Sequence, residues 1–205
     1  MGLRKVNRDI LIEKAAHFFR TRGFEGTTMQ TIADALKINK ASLYHHIADK
    51  ETLAVTVLQT IHRFFQTQFF ALAYDESFAP RNRLEKMAIQ LEQYFLNCEG
   101  GCLMANFTLE LGTRFPRFST IIRTYFEDWT HALASLFKTC HFEDVAQDLA
   151  EQAVARFQGA LIHYRLGQKE LLLKQKKYWL EAFDRGKEKG SNQAHGVVVS
   201  EAYPI

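Results

Sequence analysis

With 205 residues, 47% of them apolar, and a formal charge of only +3, the chain is sized for one compact body or two small domains with a true core. No stretch is long or apolar enough to span a bilayer, and the N-terminus lacks the apolar centre of a signal peptide, so a cytoplasmic protein with no membrane partner is expected. Three cysteines, an odd number, do not make a disulfide framework. Residues 1–50 hold nine Lys/Arg against five Asp/Glu, which leaves the remainder about neutral. A basic head on a neutral body points to an electrostatic footprint at one end.

The first element is a helix carrying Ile10, Ala15, Ala16, Phe18 and Phe19, closed by Arg22-Gly23-Phe24 with Gly23 as a left-handed cap. Arg4, Lys5 and Arg8 precede or open it, placed to reach a phosphate or a minor groove as N-terminal arms do. The alternative is a solvated, frayed terminus. Thr27 and Thr28 can cap the next helix, whose buried face is Ile32, Ala33 and Leu36. Lys37-Ile38-Asn39 breaks the pattern: Ile38 plugs the angle between two helices, and Asn39 caps the second. Leu43 and Ile47, four apart, face inward. Lys40, Ala41, Ser42, Tyr44, His45 and His46 remain on or near the outer face, small and polar enough for base edges and phosphates. Asp49 then caps a further helix, with Lys50 in its first turn. A cation there opposes the helix dipole unless a phosphate lies at that end.

From residue 51 the chain reads as helix throughout. A long amphipathic helix runs from Glu51 to about Tyr74. After a break at 77–81, with Pro80 in a first turn, another runs to about Asn97. Helical stretches follow from Cys102 to Leu111, from 117 to about 139, from Asp144 to Leu166 and from Lys169 to about Arg185. The polar, glycine-containing stretch from Gly186 reads as a loose tail. The expected fold is all-α: a three-helix head at 1–50 with a helix-turn-helix, a helical bundle at 51–186, a tail at 187–205, and about nine helices in total.

The string from Thr27 to Glu51 carries a resemblance. T-T-x-x-x-I-A-x-x-L-x-[IV]-[NS]-K-[AG]-[ST]-L-Y-H-H-[FI]-x-x-K-E is similar to the DNA-binding signature of TetR-family transcriptional regulators. Ile47 stands where Phe is commoner, and Lys37 where a small residue is frequent. The stretch Gly101-Cys102-Leu103-Met104-Ala105-Asn106-Phe107 with Glu110 also resembles a short G-C-x-x-x-N-x-x-x-E segment of one subgroup. The resemblance implies a repressor that binds a palindromic double-stranded DNA operator as a homodimer and leaves it on binding a small apolar or aromatic effector. It implies no catalysis, no metal and no cofactor. The implied DNA contacts are Thr28, Lys40, Ala41, Ser42, Tyr44, His45, His46 and Lys50. Ser42 and His45 are the choices for base edges, and Thr28, Tyr44 and Lys50 for phosphates.

Two further sets rest on apolar pattern together with the resemblance. Phe69, Tyr94, Phe95, Phe107, Tyr125, Phe126, Trp129 and Phe157, with Asn106, Glu110, Gln158 or His163 as polar anchors, could wall an effector pocket. Ordinary core is the competing reading. Ala153, Val154, Phe157, Ala160, Leu161, Tyr164, Leu172, Trp179 and Phe183 are expected at a dimer seam, against burial inside their own bundle. Cys98 and Cys102 frame Cys-Glu-Gly-Gly-Cys, a reduced pair or a redox switch. An enzyme or metal carrier is the other class, but the paired Glu-x-x-His pattern of di-iron bundles is missing. A DNA-binding module that answers to a protein partner or to thiol oxidation is a third.

Overall fold

The computed structural model describes residues 7–193, all of whose regular structure is helical. Helix α1 (Arg8–Arg22) is capped by Asn7, whose Oδ1 accepts the Asp9 N–H at 2.8 Å, and ends at Gly23 with φ of 78°. Its inner face is Leu11, Ala15, Ala16 and Phe19. Helices α2 (Met29–Ala35) and α3 (Lys40–Tyr44) complete the head. The turn between them bends at Lys37, a non-glycine residue at φ 55°. Ile38 is half-buried beneath that turn and packs on the core, as the plugging role requires.

Helix α4 (Lys50–Gln68) starts in the head and ends in the body. It packs on both α1 and α7 (Pro116–Phe137). A polar tie fixes the second contact: His62 Nε2 lies 2.7 Å from Asp128 Oδ2, which also accepts from Gln66 at 2.8 Å. Helices α5 (Pro80–Leu96), α6 (Leu103–Leu111), α8 (Glu143–Arg165), α9 (Glu170–Leu173) and α10 (Gln175–Gln193) close the bundle. Pro80 and Pro116 each sit in a first turn, where a missing N–H costs nothing. The buried apolar residues form one continuous cluster from Leu11 to Phe183, so head and body share a core.

Three expectations change in detail. Helix α4 stops at Gln68 and a 3-10 turn over Phe70–Tyr74 replaces its expected end. The tighter turn brings Phe69, Phe70 and Ala73 all inside. The last expected helix is split into the single turn α9 and the long α10, and the described residues keep the expected all-α architecture. Helix α10 also runs through Gly186 instead of releasing a tail there. Gly186 is buried so closely that a Cβ would lie 2.4 Å from the Cys140 carbonyl oxygen. Arg4, Lys5 and the Gly196-Val-Val-Val-Ser stretch lie outside the described residues.

The seam expectation is corrected by burial. Ala153, Val154, Phe157, Ala160, Leu161, Leu172, Trp179 and Phe183 are all at most 7% exposed inside their own bundle. Tyr164 is half-buried and donates to the Leu96 carbonyl at 2.9 Å. These side chains cannot also form an outer surface. The apolar excess on α8 and α10 that resembled a seam is the inner face of the subunit itself.

The aromatic pocket expectation is corrected by packing. Phe69, Phe95, Tyr125, Trp129 and Phe157 are at most 5% exposed. They lie ring against ring, with Phe65–Phe69 centroids at 4.8 Å, Phe65–Tyr125 at 5.2 Å and Trp129–Phe157 at 5.3 Å. Tilted and edge-to-face contacts of this kind fill space instead of walling it. Of the expected set, Tyr94 lines one cavity and Phe126 lines two others. Phe107 and Glu110 serve another purpose, described next.

Candidate nucleic-acid interface and its link to the body

The turn and the caps aim α3. Asn39 takes extended backbone (φ −78°, ψ 155°), and its Oδ1 accepts the Ser42 N–H at 2.6 Å. Leu43 is fully buried and pins the helix to the head. With that side anchored, Lys40, Ala41, Tyr44, His45 and His46 are exposed and Ser42 is half-buried. Tyr44 is 44% exposed, a large aromatic left in solvent on a short helix. The Lys40 ammonium lies 5.9 Å from its ring centre. The structure therefore brings Lys40, Ala41, Ser42, Tyr44, His45 and His46 together on one small convex element.

Thr28, exposed, caps α2 by accepting the Thr31 N–H at 3.1 Å and shares a 2.9 Å bond with the Thr31 hydroxyl. Thr27 is fully buried and its hydroxyl donates to the Gly23 carbonyl at 2.7 Å, so the paired threonines split into one structural and one surface residue.

Lys50 is placed differently from the expectation. Its Nζ donates to the Phe24 carbonyl at 3.0 Å, sits 4.2 Å from the Phe24 ring centre and lies 3.8 Å from Glu25. The ammonium is drawn inward by a carbonyl, an aromatic face and a carboxylate. It ties the start of α4 to the α1–α2 turn and is not held out toward an external phosphate. Asp49 caps α4 as expected, accepting the Thr52 N–H at 2.6 Å, and that bond holds its carboxyl below the usual range.

Residues expected in the effector pocket instead join head to body. Both carboxylate oxygens of Glu110, on α6, accept backbone N–H groups of the α1–α2 turn, from Phe24 at 2.8 Å and from Glu25 at 2.7 Å. The turn must be bare of side chain where the carboxylate arrives, because a Cβ on Gly23 would lie 2.7 Å from Glu110 Oε2. One turn earlier on the same face, Asn106 Nδ2 donates to the Arg20 carbonyl at 3.1 Å and to the Gly100 carbonyl at 2.8 Å. Its Oδ1 accepts from Arg165, at the end of α8, at 3.0 Å. Between these two, Phe107 packs on Phe19, Phe24 and Phe118 at 5.7, 5.8 and 5.6 Å between ring centres. Positions 103, 106, 107 and 110 share one face of a helix. The Asn and Glu of the G-C-x-x-x-N-x-x-x-E segment are thus the polar ends of a latch that holds the head to the body.

Cys102, the segment's cysteine, is buried, and desolvation pushes its thiol above the ordinary range, which keeps it protonated and a poor nucleophile. Cys98 is half-buried and lines a cavity of about 570 Å³ between α1, α4 and the end of α5. No group of three or more His, Cys, Asp or Glu able to hold a metal occurs among the described residues. No helix among them is long and apolar enough to cross a membrane.

Comparison with known proteins agrees with this geometry. Residues 11–57 match the family "Bacterial regulatory proteins, tetR family", and residues 79–176 match "Transcriptional regulator LmrA/YxaF-like, C-terminal domain". The HTH-type transcriptional repressor DhaR of Mycobacterium sp. (strain GP1) is 29% identical over 170 residues, 78% of this chain and 82% of that protein. The HTH-type transcriptional repressor KstR2 of Mycolicibacterium smegmatis is 44% identical over 52 residues, about a quarter of each chain. A TetR transcriptional regulator from Legionella pneumophila has the same fold, with a TM-score of 0.77 at 19% identity over 87% of this chain and 98% of that one. A helix-turn-helix head latched to a helical body defines a bacterial transcriptional regulator. The chain belongs to the TetR family. Its relatives are regulators and not enzymes, which removes the enzyme and metal-carrier alternative.

Proposed function

We propose that this protein is a homodimeric repressor that reads a palindromic operator through α3 and releases it when a small effector binds the body. The observation that carries the reading is the capped α3, anchored by a fully buried Leu43 and exposing Lys40, Ala41, Tyr44 and His45. In this reading Tyr44, Lys40 and Thr28 meet phosphates, while Ser42 and His45, with Ala41 allowing close approach, meet base edges. His45 and His46 both line a cavity of about 190 Å³ with Arg8 and Ile47, and His46 is assigned to the backbone contact. Lys50 orients α4 and leaves the phosphate set. The units proposed are a DNA-binding head at 1–50 and an effector-binding and dimerisation body at 51–186, followed by 187–205.

A single head covers one half-site, and pairing two heads doubles the contact on a symmetric duplex. The seam proposed is the outer face of α8. Gln152, Ala155, Ile162 and Leu166 are exposed there, Ile162 by 55% and Leu166 by 72%, and nothing lies within 4 Å of a Cβ built on Gly159. Small residues at the centre of an apolar stripe let two helices approach closely, and apolar exposure on this scale marks an interface. Ile162→Glu with Leu166→Glu is expected to shift sedimentation from dimer to monomer while the helical spectrum is kept. A dimer that survives both changes would place the seam on another surface.

Selection from a pool of random duplexes tests the reading. A recovered site with twofold symmetry and half-sites about one helical turn apart is expected. Recovery of no common sequence would contradict operator reading. On the recovered site, Lys40→Gln is expected to reduce the dependence of log affinity on log salt by about 0.9, the contribution of one neutralised phosphate. An unchanged slope would place Lys40 away from the backbone. His45→Ala is expected to relax preference at particular base pairs, at about 1–3 kcal/mol each. Identical relative affinities across operator variants would remove His45 from base readout.

A further inference from the structure

The cavity of about 570 Å³ at the joint of head and body falls within the roughly 300–1,000 Å³ typical of small-molecule sites. It opens between α1, the later turns of α4 and the end of α5, and no residue of α3 or α8 lines it. Its apolar surface comes from Ile12 of α1, Ile61 and Phe64 of α4 and Tyr94 of α5. The Phe64 and Tyr94 rings lie 5.7 Å apart between centres, and Phe64 is 40% exposed, a large ring left uncovered. Asp9, Glu13 and Glu99 stand exposed on the same walls and repel an anion. A neutral, apolar guest about the size of an aromatic ring suits this space.

The cavity also carries a thiol. Cys98 is half-buried and lines it. The other two thiols are placed differently: Cys102 is buried, and the Cys140 Sγ lies 3.5 and 3.4 Å from the Phe137 and Phe183 carbonyl oxygens. The Arg20 guanidinium lines the same cavity and donates from Nη2 to the Tyr94 hydroxyl at 3.3 Å. Burial raises the Tyr94 hydroxyl above its ordinary range, and the Cys98 thiol beside it adds to the rise. The phenol therefore stays protonated, a donor next to the sulfur with a fixed cation behind it. Such a pair can hold the negative charge that develops when a thiol adds to an electrophile.

We propose that Cys98 is a covalent modification site for small, neutral, apolar α,β-unsaturated carbonyl compounds that first seat in this cavity. The Cys98 Sγ bonds to the β-carbon, the π bond of the C=C breaks, and the thiol proton ends on the α-carbon. Nothing leaves and no oxidant is consumed. On the way, charge passes to the carbonyl oxygen, where Tyr94 or Arg20 donates to it. The adduct stands in the joint between α1 of the head and α4 and α5. This chemistry goes beyond operator reading and does not depend on it.

The test is labelling of the full chain by 4-phenylbut-3-en-2-one, followed by intact mass and peptide mapping. Acrylamide is the small polar acceptor for comparison, and glutathione is the free-thiol reference. The folded chain is expected to take its label at Cys98, whereas the unfolded chain labels all three cysteines. The rate with the enone is expected to saturate with concentration, as seating in a cavity requires. Relative to glutathione, the enone should outpace acrylamide at Cys98 by about tenfold or more. Cys98→Ser is expected to leave the folded chain unlabelled. Tyr94→Phe keeps the ring, loses the hydroxyl, and is expected to slow the enone about tenfold, the loss of one charge-assisted bond. Thermal melting checks that each variant folds. Labelling spread evenly over the three thiols, labelling at Cys98 with no preference for the enone over acrylamide, or no labelling of the folded chain overturns the assignment.

Discussion

Phe107→Ala is expected to lower stability by about 3–5 kcal/mol, the cost of truncating a fully enclosed aromatic ring. The side chain is 1% exposed and lies against Phe19 and Phe24 of the head and Phe118 of the body. The void would open on the boundary between the two units, so the head loses the apolar surface on which it rests. For a chain of this size about 1 kcal/mol corresponds to roughly 2–4 °C, which puts the fall in melting temperature at about 6–20 °C. Head and body should still melt together, because one buried cluster spans both. A fall of less than about 3 °C would mean that neighbouring rings collapse into the space and that Phe107 does not support the head.

Glu110→Ala is the second large effect, and it is polar. The substitution removes the acceptor from two backbone N–H groups at once. A hydrogen bond to a charged group contributes about 1.5–3 kcal/mol. The Glu25 N–H is exposed and can turn to water, whereas the Phe24 N–H is part-buried and cannot do so as freely. The expected loss is therefore about 2–3 kcal/mol, with weaker operator binding because the head is no longer fixed. Gly23→Ala provides the cross-check. In the natural chain its Cβ would meet Glu110 Oε2 at 2.7 Å, on a backbone at φ 78°. Combined with Glu110→Ala the steric part disappears while the backbone strain remains, so the two changes should cost less together than the sum of each alone. Strict additivity would show that the carboxylate does not occupy the turn in solution.

The head was legible because its determinants are local. Asn39, Thr28 and Asp49 each bond a backbone N–H three residues ahead, and such short-range bonds are written directly in the sequence. The latch was not legible. Asn106 and Glu110 stood out as a pattern, but their head-side partners are 85 and 86 residues away, and no local grammar names them. Lys50 was misplaced for the same reason, since its carbonyl partner lies 26 residues back.

The seam and the pocket failed differently. A helix that is apolar on more than one side shows that it is buried, but not whether its own bundle or a second copy covers it. Ala153, Val154 and Phe157 turn out to be covered from within, while Ile162 and Leu166 on the same helix stay outside. Aromatic residues at helical spacing likewise announce rings without saying whether they enclose space or fill it. Phe65, Tyr125, Trp129 and Phe157 fill it. Cavities lie instead beside α6 and between α1, α4 and the end of α5.

The central claim is that the exposed face of α3 reads a specific DNA sequence, and a salt-dependent titration tests it most directly. Binding to the symmetric duplex recovered by selection is measured against a scrambled duplex of equal length, from about 50 to 200 mM salt. The account predicts tight, sequence-selective binding whose affinity falls steeply and linearly on a log–log scale as phosphate counterions return. Equal, weak binding to both duplexes at every salt concentration, or no binding at all, would contradict it.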